Sequence, residues 1–269
     1  MPTWRELLAA SGLPRLEAQL LAARGAGVRR SWLLAHETDA VGPEAAIAVS
    51  ALHARRQSGE PIAYILGERE FFGLELAVSP DVLIPRPETE LLAELARSHL
   101  PEGGRLLDIG TGSGAIAVAI AHMRADARVW ACDVSPAALQ IARANAARHA
   151  PGVHLLASDL FAALPGERFD VIASNPPYVA SGDPHLAQGD LRFEPQLALV
   201  AGPDGMDVIR RIAAEARQHL DPGGVLVFEH GHDQGAASRD LLIALGYHSV
   251  NNYNDLSSIP RVCVGRWKG

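Results

Sequence analysis

From Trp4 to about Glu60 the apolar residues Leu7, Leu8, Leu16, Leu20, Leu21, Val28, Trp32, Leu33, Leu34, Ile47, Val49 and Leu52 recur at three- and four-residue intervals. That spacing follows the face of a helix. Gly12-Leu13-Pro14, Gly25 to Gly27 and Val41-Gly42-Pro43 cut the pattern into short pieces, so a small helical domain over residues 1–69 is expected. It reads either as a structural appendage or as a domain for partner or substrate recognition. The period then changes: residues 70–78 and Val82-Leu83-Ile84 read as two strands around Ser79-Pro80-Asp81, a hairpin linker over 70–85. Thr89 or Glu88 starts the amphipathic run that carries Leu91, Leu92, Leu95 and Ala96.

Beyond Arg105, over the remainder of a domain at 86–269, apolar strand-like runs alternate with helical ones. The strands fall at 105–109, 128–133, 153–158, 169–174, 224–230, 248–252 and 261–267, and helices near 115–123, 136–148, 206–220 and 234–245. Continuous apolar strands separated by helices predict an α/β fold, a parallel sheet covered on both faces. Residues 179–205 have no clear period, and a connection of that length in a compact domain is usually functional. Placed directly after Tyr178, it is expected to form a wall or lid over a site there.

Composition narrows the function. The chain of 269 residues is 48% hydrophobic and 20% charged, an ordinary globular balance. Residues 1–10 lack the apolar core of a signal peptide, and no apolar run is long enough for a membrane span; a cytoplasmic protein without membrane contact is expected, and a monomer. The net charge is −7. Residues 1–75 hold 8 Arg against 9 acids and the rest 16 basic against 22 acidic residues, so neither part has the positive footprint of a nucleic-acid binder. Cys132 and Cys263 sit in apolar strand-like runs without metal-ligand spacing and read as reduced core residues. His230-Gly231-His232 at a strand exit is poorly arranged for chelation, so no metal is expected.

Three segments carry candidate chemistry. Ser174-Asn175-Pro176-Pro177-Tyr178 follows the apolar run Phe169 to Ala173. The prolines stiffen the backbone and Asn175 offers an acceptor and a donor, which suits a target that is itself an NH2 donor. A plain Pro-Pro turn ending a strand is the competing reading. Asp108-Ile109-Gly110-Thr111-Gly112-Ser113-Gly114 runs from a strand into a glycine loop. Its glycines permit close backbone approach to a ligand, but the spacing is not the dinucleotide fingerprint, and Asp108 would repel a pyrophosphate. A cationic ligand such as S-adenosylmethionine fits better. Asp133 ends the next strand where an acid can accept from both ribose hydroxyls, with helix capping ahead of Pro136 as its rival role. Asp159 and Leu160 end the third strand, where an acid and an apolar wall could hold an adenine; a simple turn is the alternative. Arg86 could meet a cofactor carboxylate or pair with Glu88, and the ion pair is the expectation.

In this order the segments resemble the seven-stranded, Rossmann-like class I methyltransferase arrangement, and Asn-Pro-Pro-Tyr resembles the acceptor loop of enzymes that methylate planar NH2 groups. Leu83 to Glu90, Asp183-Pro184-His185-Leu186, Gln188-Gly189-Asp190, Arg192-Phe193-Glu194-Pro195 and Glu229-His230-Gly231 are similar to the PrmC/HemK family, the protein-(glutamine-N5) methyltransferases of peptide-chain release factors. The resemblance implies S-adenosylmethionine as cofactor, held by residues 110–114, Asp133, Leu160 and Asn175, to which the reading of the residues above adds Asp108 and Asp159. It also implies release factors as partners, with the glutamine of their Gly-Gly-Gln motif bound by Asn175, Pro176, Pro177 and Tyr178. Some members have Trp at the position of Leu160, so here that contact is apolar packing only.

An amide nitrogen is a poor nucleophile because its lone pair is delocalised. The expected catalytic residues are Asn175 and Pro176, whose side-chain and main-chain oxygens accept the two amide N–H bonds, and Tyr178, whose ring faces the methylsulfonium. Two rivals remain at this point. A DNA or RNA amino-methyltransferase would need a basic surface, and a non-catalytic nucleotide-binding module is disfavoured by Asp108 and the glycine spacing.

Overall fold

A computed structural model describes residues 1–269, which divide into two compact units. The first comprises Met1–Glu68 together with Ala187–Phe193. Its helices are α1 (Trp4–Ala10), α2 (Arg15–Ala26), α3 (Arg30–Ala35), α4 (Pro43–Gln57) and α5 (Ile62–Leu66). Thr3 starts α1 with a reciprocal cap: its Oγ1 accepts from Glu6 N–H at 3.3 Å while Glu6 Oε2 accepts from Thr3 N–H at 2.8 Å, satisfying two donors that a helix start leaves open. Trp4, Leu8, Ala18, Ala22, Leu33, Val41 and Val49 form its core. Gly25 lets α2 and α4 approach, since a Cβ there would lie 3.0 Å from a Val49 methyl. The helical period overstates the core: Leu16, Trp32, Leu34 and Ile47 are exposed, Ile47 by 72%. Asp190 and Arg192 tie the inserted segment to this unit, Asp190 through Arg56 at 3.5 Å and Arg192 through the Ser58 carbonyl at 3.1 Å.

The second unit, Arg69–Leu186 with Glu194–Gly269, is built on a seven-stranded sheet. A hairpin of β1 (Glu68–Phe71) and β2 (Leu74–Ala77) precedes it. Its turn is Phe72-Gly73, both at positive φ, the backbone that two-residue hairpins favour; 82–84 is not a strand, so the expected turn at 79–81 is displaced. Helix α6 (Thr89–His99) leads into β3 (Arg105–Ile109), α7 (Ala115–Met123), β4 (Arg128–Asp133), α8 (Pro136–His149), β5 (His154–Ala157) and β6 (Phe169–Ser174). Then follow α9 (Asp207–His219), β7 (Leu220–Glu229), α10 (Gly235–Ala244), β8 (His248–Asn254) and β9 (Pro260–Arg266).

The strand order is β5-β4-β3-β6-β7-β9-β8. Neighbours from β5 to β7 are parallel, but β9 runs antiparallel to both β7 and β8, so the sheet is mixed rather than wholly parallel. Alternate residues feed opposite faces: Leu106, Val171, Ala173, Val225 and Val227 pack toward one layer, and Leu107, Ile109, Ile172, Leu226 and Phe228 toward the other. The chain leaves β3 toward β4 on one side and later returns to β6 on the other. A crevice therefore opens between the carboxyl ends of β3 and β6, the place where doubly wound sheets bind ligands.

Candidate active site

A cavity of about 360 Å³ occupies that crevice, large enough for a cofactor-sized ligand. The structure brings together on its wall the glycine-loop residues Gly110, Thr111, Gly112 and Ser113, then Asp133, Asp159, Leu160, Asn175, Pro176 and Pro177. Gly114 lies one step behind. With φ +85 it starts α7, and a Cβ there would press on Ala142 and Val118 at 3.3 Å. Gly110 and Gly112 are also at positive φ, a conformation costly for residues with a Cβ.

Asp133 holds this loop. Its Oδ2 accepts from Gly112 N–H at 2.9 Å and Oδ1 from Ser135 N–H at 2.8 Å. The capping role falls instead to Ser135, whose Oγ accepts from Ala138 N–H at the start of α8. Ser158 Oγ donates to the Leu160 carbonyl at 2.8 Å, and Leu160 takes a positive φ that turns its side chain into the wall. The Asp159 carboxylate is taken by Arg211, at 3.1 Å from each oxygen, so an adenine amino group would have to share it. Sequence patterning missed Arg211 because only the three-dimensional fold brings α9 to Asp159 in the turn after β5.

Asp108 departs from expectation, since it does not line the cavity. It lies buried behind the loop with Oδ2 accepting from Thr111 Oγ1 at 2.6 Å and Ala117 N–H at 3.2 Å, while Oδ1 has no partner. Burial raises its pKa to about 7, against the two hydrogen bonds, with the Asp133 charge adding to the rise. Between pH about 4 and 7 the folded chain thus keeps a proton that the unfolded chain has lost, so this group's contribution to stability falls as pH rises through that window. Asp108→Asn removes the penalty. The variant's denaturant midpoint minus the wild-type midpoint is expected to grow from pH about 4 to 7 and then level off; a constant difference would show that burial does not perturb this carboxyl.

Tyr178 is a second departure. Its ring packs against the core layer beside β7, outside the cavity wall, and its hydroxyl donates to Glu229 Oε1 at 3.0 Å. A buried phenol needs an acceptor, and Glu229 supplies it while the ring stays off the cavity wall. Burial first, then the Glu229 charge, pushes the Tyr178 hydroxyl pKa up, so it stays protonated. Its main chain remains at the site edge. Gln234 Nε2 donates to the carbonyls of Tyr178 at 3.0 Å and Asp204 at 3.2 Å, stapling both ends of the 179–205 segment. Gly205 packs so closely that a Cβ would lie 2.2 Å from the Tyr178 carbonyl oxygen.

Asn175 is the polar centre of the wall. Its Nδ2 donates to Thr89 Oγ1 at 3.1 Å, and its Oδ1 is buried without a partner. Thr89 is the first residue of α6, as expected, and Glu88 stands at its N-cap without a side-chain cap bond. The Thr89 hydroxyl instead donates to Glu229 Oε2 at 2.7 Å. Burial raises the Glu229 pKa, opposed by donation from Thr89 and Tyr178. Arg86 pairs with Glu194 at 2.7 Å and not with Glu88. That partner lies in the 179–205 segment, whose residues Pro195, Leu197, Ala198 and Val200 do form a cavity wall. Leu197 and Val134 remain 63% and 53% exposed there, an apolar pair at the cavity. Cys132 and Cys263 are free and buried, which pushes both thiols up to about 12.

The residues fit S-adenosylmethionine. Asp133 is a carboxylate with lone pairs to spare on the wall, and the glycines admit a ligand against the backbone. Two family models match the chain: PrmC N-terminal domain over residues 3–67 and Methyltransferase small domain over 87–190. The release factor glutamine methyltransferase of Bordetella pertussis is 51% identical over 268 residues, covering 98% of this chain and 99% of that protein. The Escherichia coli protein of the same name is 46% identical over 262 residues, with 97% and 95% covered. Among solved structures, a methyltransferase from Pyrococcus furiosus aligns over 81% of this chain and 98% of its own at TM-score 0.57 and 24% identity, a likeness of fold.

Proposed function

The chain belongs to the release factor glutamine methyltransferase family, and we propose that it methylates the side-chain amide nitrogen of a release-factor glutamine, that of the Gly-Gly-Gln motif. The observation that carries this reading is Asn175, a residue of the cavity wall whose Oδ1 is a buried acceptor without a partner. A buried acceptor left open costs about 1–3 kcal/mol, which an incoming N–H donor recovers.

S-adenosylmethionine supplies an electrophilic methyl group when bound. The glycine loop would hold it by close backbone approach and Asp133 by accepting from the ribose hydroxyls, with Leu160 as an apolar contact for the base. Asn175 Oδ1 accepts one N–H of the glutamine amide and the Pro176 carbonyl the other. Both bonds strengthen as the nitrogen gains positive charge, so they stabilise the transition state above the ground state. The two prolines keep the acceptors from relaxing away. Methyl transfer leaves the amide nitrogen cationic, and in that form it is strongly acidic and loses one N–H proton to water to give the neutral N-methyl amide, so no side chain is assigned as general base. The helical unit, by its match to the family's N-terminal domain, contributes to recognition of the release factor.

The test uses S-adenosylmethionine labelled in its methyl group, offered with purified release factor, with the same factor carrying Gln→Ala in the Gly-Gly-Gln motif, or with DNA or RNA. Label is expected in the first alone. Label in nucleic acid and none in release factor overturns the reading. No helix of the protein is long and apolar enough to cross a membrane.

A further inference from the structure

The polarity of the Asn175 side chain is not set by Asn175. An amide can present either its oxygen or its NH2 to a substrate, and the two orientations have nearly the same shape. Only the oxygen can accept from a substrate N–H, so a flipped amide would convert an acceptor site into a donor site. The interactions behind Asn175 therefore decide what the site binds.

Those interactions form one directed chain. Glu229, 2% exposed, receives two hydroxyl donors, Thr89 Oγ1 on Oε2 at 2.7 Å and Tyr178 on Oε1 at 3.0 Å. An ionised carboxylate only accepts, so the single Thr89 hydroxyl hydrogen points to Glu229. A protonated Glu229 preserves this direction when its proton sits on Oε1, which leaves Oε2 accepting. The Thr89 oxygen then has only lone pairs to offer Asn175, and only the NH2 end of the amide can use them, as the 3.1 Å Nδ2 contact records. The amide oxygen is left facing the other way, buried and unpartnered. Thr89 starts α6 and Glu229 ends β7, both fixed by the fold and both buried, so the chain of bonds is a rigid reference.

We propose that Thr89 and Glu229 are positioning residues that lock Asn175 with its oxygen toward the substrate and so make the site select an amide NH2 over a carboxylate. The inference rests on the glutamine reading above and adds to it the source of the discrimination. A glutamate in place of the target glutamine would bring its oxygen lone pairs against Asn175 Oδ1, where no hydrogen is available. A glutamine brings two N–H donors.

The experiment compares wild type, Thr89→Val, which keeps the shape and removes the hydroxyl, and Thr89→Ser, which restores it. Each is measured for kcat and KM on purified release factor, for S-adenosylmethionine affinity, and for inhibition by release factor whose target glutamine is changed to glutamate. Thr89→Val is expected to lose about 10- to 100-fold in kcat, as when groups that orient a ligand are removed, with KM and cofactor affinity within about twofold. The wild-type preference for the glutamine over the glutamate protein, about tenfold, is expected to collapse toward one in Thr89→Val and to return in Thr89→Ser. Thr89→Val with wild-type kcat and preference overturns the inference. So does a loss spread equally over stability and cofactor affinity that serine does not rescue, because that pattern belongs to packing. Failure of wild type to methylate release factor sinks the glutamine reading and this inference with it; normal wild-type turnover with indifferent variants sinks the inference alone.

Discussion

Asn175→Ala is expected to lower kcat on release factor by about 10²- to 10³-fold, the loss seen when one preorganised polar group is removed from a developing charge. S-adenosylmethionine affinity is expected to stay within about threefold, because Asp133 and the glycine loop are untouched. Alanine removes the unpartnered Oδ1 acceptor and also leaves the Thr89 oxygen without its 3.1 Å donor. Backbone placement survives, since the two prolines and the Gln234 bond to the Tyr178 carbonyl at 3.0 Å still fix the loop. Asn175→Asp separates shape from polarity. It keeps an acceptor toward the substrate but turns an oxygen toward Thr89, whose hydrogen is already committed to Glu229 at 2.7 Å. A second buried carboxylate near Glu229 is disfavoured, so aspartate is expected to rescue little of the loss. Single-turnover methylation at saturating cofactor separates these outcomes. Turnover in Asn175→Ala near that of wild type would remove the side chain from the reaction.

Much of this arrangement is legible along the chain where a local rule sets it. Helix α7 starts and stops at Ala115 and Met123 as patterned, because Gly114 supplies a left-handed start and the apolar run ends at Met123. Strands β3, β4 and β6 have the expected bounds, each a predominantly apolar run closed by a polar residue or glycine. Other features depend on partners that spacing cannot name. Arg86 meets Glu194, 108 positions away, where proximity in sequence favoured Glu88. Asp108 and Tyr178 read as facing a ligand from their charge or ring and their place beside the glycine and Asn-Pro-Pro loops, yet Thr111 and Glu229 hold them off the cavity wall through bonds of 2.6 and 3.0 Å. Thr89 starts α6 as the pattern indicates, but spacing does not show that β7 brings its hydroxyl a carboxylate to serve. The antiparallel β9 has the same apolar look as its parallel neighbours, since burial on both faces erases the signal of direction. The exposed Trp32 and Ile47 carry helical spacing without a covering element in their own unit.

Asp133→Ala carries the largest expected effect on binding. The carboxylate holds the loop through Gly112 N–H at 2.9 Å and Ser135 N–H at 2.8 Å, and each oxygen keeps a further lone pair for a ribose hydroxyl. Hydrogen bonds to a charged acceptor contribute about 1.5–3 kcal/mol each, so losing two from the ribose predicts about 10²- to 10⁴-fold weaker S-adenosylmethionine binding. The loop adds to this in the same direction, because Gly112 at positive φ loses its only side-chain tether. Asp133→Asn discriminates the two contributions. An asparagine keeps one acceptor and replaces the other oxygen with an NH2 that cannot receive an N–H, so it is expected to fall between wild type and alanine. The turnover of cofactor-saturated enzyme is expected to change far less than affinity, since Asn175 and the Thr89-Glu229 pair stand on other strands and loops. Calorimetric titration with S-adenosylmethionine and single-turnover rates at saturation read the two quantities separately. A large fall in saturated turnover with unchanged affinity would move Asp133 from cofactor binding into the methyl-transfer step itself.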